Sequence, residues 1–169
     1  MRLVRSSGLA LFTVAALPAR SMADPLVQVE LHAGYGLAIS GSGDEMSRRP
    51  TPLTITALTA IGVSVDPPLA GYGGLVIETL DRSAAGTAFG VLLQPHGSHL
   101  RFSAGALYMF APATLWGVTA SLGACAHASQ AVALCGDLQL TAFVDGDDLP
   151  AGRTVTQGQA VVGLVFDAL

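Results

Sequence analysis

The segment that decides the fold is residues 27–40, VQVELHAGYGLAIS. Its apolar side chains occupy alternate positions, and polar or small side chains occupy the positions between them. The first set is Val27, Val29, Leu31, Ala33, Tyr35, Leu37 and Ile39, and the second is Gln28, Glu30, His32, Gly34, Gly36, Ala38 and Ser40. This period of two predicts a β-strand with two chemically different faces. The function depends on which face points inward.

Residues 1–23 are predicted to be a signal peptide, helical before its removal. Arg2 and Arg5 precede an apolar run over residues 8–17, and residues 21–23 supply the small side chains that a signal peptidase recognises. The alternative is an uncleaved anchor, but the apolar run is short for a membrane span. Residues 24–169 are then one domain, long enough for a sizeable core.

The composition indicates that something other than water contacts much of the surface. The chain has no lysine, its charged residues are 12% of the total, and its mean hydropathy is +0.55. A soluble domain is typically about one quarter charged. Without residues 1–23, five arginines remain against twelve acidic residues, a net charge of −7, which argues against nucleic acid as a partner. An apolar face toward lipid and a polar face toward a lumen explain both the composition and the alternation.

Seven further segments repeat the alternation, at residues 53–65, 69–81, 89–93, 99–110, 116–125, 132–144 and 157–167. The polar stretch 41–52, GSGDEMSRRPTP, is predicted to be a solvated loop, as are residues 82–86 and the acidic residues 145–150. Eight strands with short connections predict an all-β, antiparallel up-and-down transmembrane β-barrel whose lumen is too narrow for a solute pore. With the N-terminus on the periplasmic side, the loops at 41–52 and 145–150 would be extracellular.

Over residues 27–169 these features resemble the small eight-stranded outer-membrane β-barrels of Gram-negative bacteria, the group that includes the transmembrane domain of outer membrane protein A. The family's C-terminal assembly signal is matched in part by Gly163, Phe166 and Ala168, whereas Val161 replaces a polar residue and Leu169 replaces a final Phe. The resemblance implies a place in the outer membrane, contact with its lipids and insertion by the barrel-assembly machinery.

Outward-facing aromatic residues are expected to mark both membrane interfaces. The outer group is Tyr108, Phe110 and Trp116, and the group near the periplasmic interface is Phe102 and Phe166. Phe143 falls on the inward parity, and the sequence offers no reason for its position.

Two cysteines are predicted to form a disulfide inside the barrel. Cys125 and Cys135 share the inward parity and flank the turn between the sixth and seventh strands. Ten residues of separation place them nearly opposite one another, and secretion takes them to an oxidising compartment. The alternative is two free thiols that line the lumen.

An ionic cluster is predicted in the lumen. Arg101 is the only arginine inside a predicted strand, and it shares the inward parity with Glu30, Asp137 and Asp167. All four lie toward the periplasmic ends of their strands. A buried guanidinium is costly without carboxylate partners, so we expect these side chains to pair and close the interior. His32 is expected to face the same lumen.

The sequence predicts no catalytic, cofactor or metal site. The four histidines, His32, His96, His99 and His127, lack metal-ligand spacing. Ser103 or Ser121 could imitate a hydrolase triad with His32 and Glu30, but no nucleophile motif accompanies them.

The predicted role is therefore structural or interactive: a porin-like scaffold with a filled, non-conducting lumen that presents short acidic extracellular loops to an unidentified partner. An outer-membrane lipid-modifying enzyme is the alternative from another class. A soluble lipocalin-like barrel would require every face to be inverted. A helical membrane protein would need a helix through residues 104–126, which Pro112 and the alternation oppose.

Overall fold

A computed structural model describes residues 26–42, 45–63, 69–80, 82–95, 98–147, 149 and 153–168. The predicted signal peptide lies outside these residues. The described chain forms nine strands: β1 (Leu26–Ser42), β2 (Glu45–Pro50), β3 (Leu53–Val63), β4 (Leu69–Thr79), β5 (Ala84–Leu93), β6 (Leu100–Ala111), β7 (Leu115–His127), β8 (Val132–Gly146) and β9 (Thr154–Ala168). Within that part of the chain, no helix has the length and apolar character to cross a membrane.

All strand pairs are antiparallel, and a pairing between β1 and β9 closes the sheet into a barrel. Both β2 and β3 pair with the side of β1 that does not face β9: β2 with residues 37–42 and β3 with residues 26–34. Strands β2 and β3 therefore form one wall of the barrel together, and the barrel has eight walls. This confirms the predicted eight-stranded up-and-down β-barrel.

The barrel has two ends that differ in their connections. The terminal end holds Leu26 and Ala168, the two ends of the described sheet, together with the connections after β3, β5 and β7. The loop end holds the β1–β2 hairpin and the connections after β4, β6 and β8.

Burial follows the strand period and is inverted relative to a water-soluble barrel. Outward-facing Leu37, Leu75 and Leu138 are 60%, 61% and 70% exposed, whereas inward-facing Glu30 and Asp137 are 1% and 7% exposed. A row of exposed large apolar side chains has no favourable contact in water, but lipid provides one. The orientation predicted for β1 agrees with this arrangement.

Some predicted loops are wrong. Residues 41–52 form mostly the β1–β2 hairpin, β5 begins at Ala84 rather than at residue 89, and β8 continues to Gly146. Residues 46–50 are exposed throughout, and residues 84–88 are mainly small, so neither stretch shows a contrast between an apolar and a polar face. Backbone pairing with the neighbouring strand forms these segments without that contrast.

The interior changes character along the barrel. Buried Glu30, Arg101 and Asp137 lie toward the terminal end beside two small apolar clusters, and a larger apolar cluster lies near the loop end. The larger cluster consists of Val76, Ala84, Ala88, Leu107, Met109, Leu115 and Phe143. Phe143 has no exposed surface. Its ring occupies the space beside Gly117, where an added Cβ would lie 2.9 Å from the ring. This packing explains why an aromatic residue points inward.

Candidate functional site

Three of the four residues predicted for the ionic cluster meet inside the terminal end. The Arg101 Nη2 atom donates a hydrogen bond to Glu30 Oε2 at 2.7 Å, and Arg101 Nε lies 3.5 Å from Asp137 Oδ1. The three side chains come from β6, β1 and β8, and all are buried. One guanidinium therefore contacts carboxylates from β1 and β8, which lie on either side of β9.

Asp167 does not take the predicted place beside Arg101. It accepts a hydrogen bond from Gln28 Nε2 at 2.8 Å, because the pairing of β1 with β9 sets these two residues opposite each other. His32 joins the cluster instead. Its Nε2 atom lies 2.8 Å from Glu30 Oε2, and its Nδ1 atom lies 3.9 Å from Asp137 Oδ2. The only sequence feature that indicated a place for His32 near the cluster was its inward parity on β1.

The cluster leaves some hydrogen-bonding capacity unused. Glu30 Oε1, Arg101 Nε and Asp137 Oδ1 are buried and make no hydrogen bond within the described residues. The 3.5 Å approach between Arg101 and Asp137 is thus an ionic contact without hydrogen-bond geometry. A cavity of about 60 Å³ lies beside these groups, large enough for a few water molecules.

Cys125 and Cys135 form a disulfide next to this cluster. They are directly opposite in the register of β7 and β8, with their Cα atoms 4.1 Å apart. Arg101 Nη1 lies 3.8 Å from the Cys125 sulfur and 3.5 Å from the Cys135 sulfur. The disulfide and the ionic cluster therefore share one level of the lumen.

Hydroxyl groups occupy the middle of the lumen. Ser103 and Ser121 share a hydrogen bond of 2.7 Å, and Thr141 donates to Thr119 at 3.2 Å. His32 contacts the two carboxylates, and neither serine hydrogen-bonds to it in the described chain, so the triad-like set of the sequence is not assembled. The described residues also contain no group of three side chains that could hold a metal ion.

The outward aromatic residues lie near both ends of the barrel. Near the loop end, the Tyr108 and Trp116 rings stack with centroids 4.5 Å apart, and Phe110 lies 6.4 Å from Tyr108. Phe89, which the sequence did not assign to this group, meets Trp116 edge-on at 6.5 Å. Toward the terminal end, Phe102 and Phe166 are each 40% exposed.

A junction near the loop end joins β2 and β3. Thr51 is 1% exposed, its N–H donates to the Gly36 carbonyl, and its hydroxyl accepts from the Gly36 N–H at 2.8 Å. Gln159 Nε2 donates to the same hydroxyl at 3.2 Å and to Thr54 Oγ1 at 2.9 Å. A single buried hydroxyl therefore links three walls of the barrel.

No protein-family model matches the sequence, and comparison with curated proteins finds no match. Among solved structures, the chain is similar to Neisserial surface protein A, with a TM-score of 0.50 and 12% identity over 84% of this chain and 97% of that chain. It also matches Ail, the attachment invasion locus protein of Yersinia pestis, with a TM-score of 0.48 and 11% identity over 82% of this chain and 98% of that one. The first likeness shows the fold, and together with the closed antiparallel sheet it identifies the fold of a small eight-stranded outer-membrane β-barrel.

Proposed function

We propose that this protein is an outer-membrane β-barrel with a non-conducting lumen, which serves as a scaffold that presents its loop end outside the cell. The observation that carries the proposal is the inverted burial. Outward Leu37, Leu75 and Leu138 are 60% to 70% exposed, and the charged side chains of β1, β6 and β8 are buried inside. A hydrocarbon layer is the surrounding that stabilises such a surface.

Two features support a lumen that does not conduct. The Arg101 cluster and the disulfide cross the interior near the terminal end, and the apolar cluster around Phe143 packs across it toward the loop end. Between them lies a cavity of about 60 Å³, which is too small for a hydrated solute. An eight-stranded barrel has an interior just wide enough for its own side chains.

The loop end would carry the contacts with an extracellular partner. Its hairpin carries Arg48 and Arg49, which pair with Ile39 and Ala38 near the end of β1. The connection after β8 carries Asp147, which accepts a hydrogen bond from Thr114 at 2.7 Å. The described residues at this end thus hold both signs of charge, and the net acidity of the loops stays a prediction.

Cysteine labelling tests location and orientation together. Ser83 and Ser129 are exposed serines at the loop end and the terminal end, and Ser→Cys is a nearly isosteric change. On intact cells, a membrane-impermeant maleimide should label Ser83→Cys, and it should label Ser129→Cys only after the outer membrane is permeabilised. The matched pair uses one chemistry at opposite ends of the barrel.

Heat-modifiable migration on a gel would establish that each variant is a folded barrel. Recovery in the outer-membrane fraction together with the labelling pattern above is the expected result. A folded protein recovered in the soluble fraction would reject the membrane location. Equal labelling of both variants on intact cells would reject the orientation.

A further inference from the structure

The interior near the loop end contains a second cavity, above the Phe143 ring. Its volume is about 200 Å³. Its lining is Arg49, Arg82, Leu115, Phe143, Leu149, Val155 and Gln157. Neither the scaffold role nor the closed lumen requires such a cavity, so its chemistry is a separate question.

The floor of this cavity is apolar. Phe143 and Leu115 belong to the buried cluster, and Leu149 and Val155 pack against it. Apolar cavities of about 150 Å³ lined by Leu, Ile and Phe stay dry and accept a molecule the size of benzene. The floor is therefore suited to one ring or one branched apolar group.

Arg49 lies at the rim. It pairs with inward-facing Ala38, so its side chain projects on the lumen side of the hairpin, and it forms no ion pair among the described interactions. Arg82 differs, because Glu78 Oε2 accepts hydrogen bonds from its Nε atom at 2.9 Å and its Nη2 atom at 2.6 Å. Arg49 is thus the cation with which an anionic ligand group could pair.

Gln157 supplies the second polar group. It is only 5% exposed, it lines both this cavity and the lumen cavity, and its side chain makes no hydrogen bond to the described chain. Its amide atoms are not among the fully buried unpaired polar atoms of the described chain, so they reach the space of the cavity. Gln157 and Arg49 both pair with Ala38, so the amide can donate to the same ligand group as the guanidinium.

We propose that this cavity binds a small amphipathic carboxylate that carries one aromatic or branched apolar group. The apolar group would lie against Phe143, and the carboxylate would accept hydrogen bonds from Arg49 and Gln157. A planar carboxylate suits a guanidinium because two parallel N–H donors can engage its two oxygens. The proposal concerns the folded barrel and does not depend on where the protein resides.

The binding test uses the refolded full-length barrel in a neutral detergent and 4-fluorophenylacetate as the probe. Fluorine NMR during a titration should show saturable binding. The uncharged analogue 2-(4-fluorophenyl)ethanol should bind at least about tenfold more weakly, because it lacks the charge-assisted hydrogen bonds. Linear partitioning into micelles without saturation would overturn the proposal.

Two neighbouring arginines provide a matched comparison. Arg49→Gln should weaken binding of the carboxylate about tenfold. Arg48→Gln removes the same charge from the opposite face, where residue 48 pairs with outward-facing Ile39, and should leave the affinity unchanged. Equal affinities of the two variants would overturn the proposal.

Gln157→Leu serves as an independent variant. It should weaken binding of the carboxylate and leave binding of the alcohol unchanged, and an unchanged carboxylate affinity would contradict the assigned role of the amide. Heat-modifiable migration of each purified variant establishes that its barrel is folded before titration.

Discussion

Arg101 is the residue on which the charged interior depends. It contacts both Glu30 and Asp137, so Arg101→Ala would leave two buried carboxylates without their guanidinium partner. Removal of one partner from a buried ion pair typically costs about 3–5 kcal/mol. We expect a loss of that size in urea unfolding from lipid vesicles, followed by the fluorescence of Trp116. Arg153→Ala, at an exposed arginine, should have almost no effect, and equal stability of the two variants would contradict the cluster.

Gly163 is required by the close approach of His32. A Cβ at Gly163 would lie 2.8 Å from Cγ of the imidazole ring, whereas one at Gly158, on the same strand, would meet nothing within 4 Å. Gly163→Ala should therefore lower the unfolding free energy by about 1–3 kcal/mol, the usual cost of overpacking. Gly158→Ala should be neutral or slightly stabilising. Measuring the urea midpoints of the two variants side by side checks this prediction. Equal midpoints would contradict it.

At the scale of elements, the junction between β2 and β3 depends on one hydroxyl. Thr51→Val keeps the shape of the side chain but removes the acceptor for Gly36 N–H, which should cost about 1–3 kcal/mol. The Gly36 amide should then exchange with deuterium faster, as measured by NMR in detergent micelles. Thr51→Ser retains the hydroxyl and should preserve the protection. Unchanged exchange in Thr51→Val would show that the hydroxyl does not hold the junction.

The strands could be predicted where two faces differ in polarity. β1 and β8 contain such contrasts, so their alternation and orientation were predictable from sequence. The β1–β2 hairpin was not, because residues 46–50 are exposed throughout and backbone hydrogen bonds alone extend the wall. The polar stretch therefore looked like a loop although it is mostly strand.

At the scale of the whole molecule, the sequence did not predict how the strands are staggered relative to one another in the closed barrel. Strand parity placed Arg101, Glu30 and Asp137 in the lumen, and their positions along the strands placed them at one end. Strand parity gives no information on the register between β1 and β9, the pair that closes the barrel. That register sets Asp167 opposite Gln28. The apolar floor around Phe143 was not predictable either, because it is assembled from five strands, β4 to β8.

If the lumen is closed as proposed, the Arg101 cluster and the Phe143 cluster are two seals in series, and this leads to a prediction for ion conduction. Phe143→Ala should open the seal near the loop end, while the Arg101 cluster and the disulfide still close the terminal end. In planar bilayers, the unmodified protein and Phe143→Ala should therefore both lack discrete current steps. A large porin added to the same bilayer provides the positive control. Steps from the unmodified protein would reject a closed lumen. Steps from Phe143→Ala alone would show that the charged cluster does not seal the barrel, because current would then pass Glu30, Arg101 and Asp137 as soon as the aromatic ring is removed.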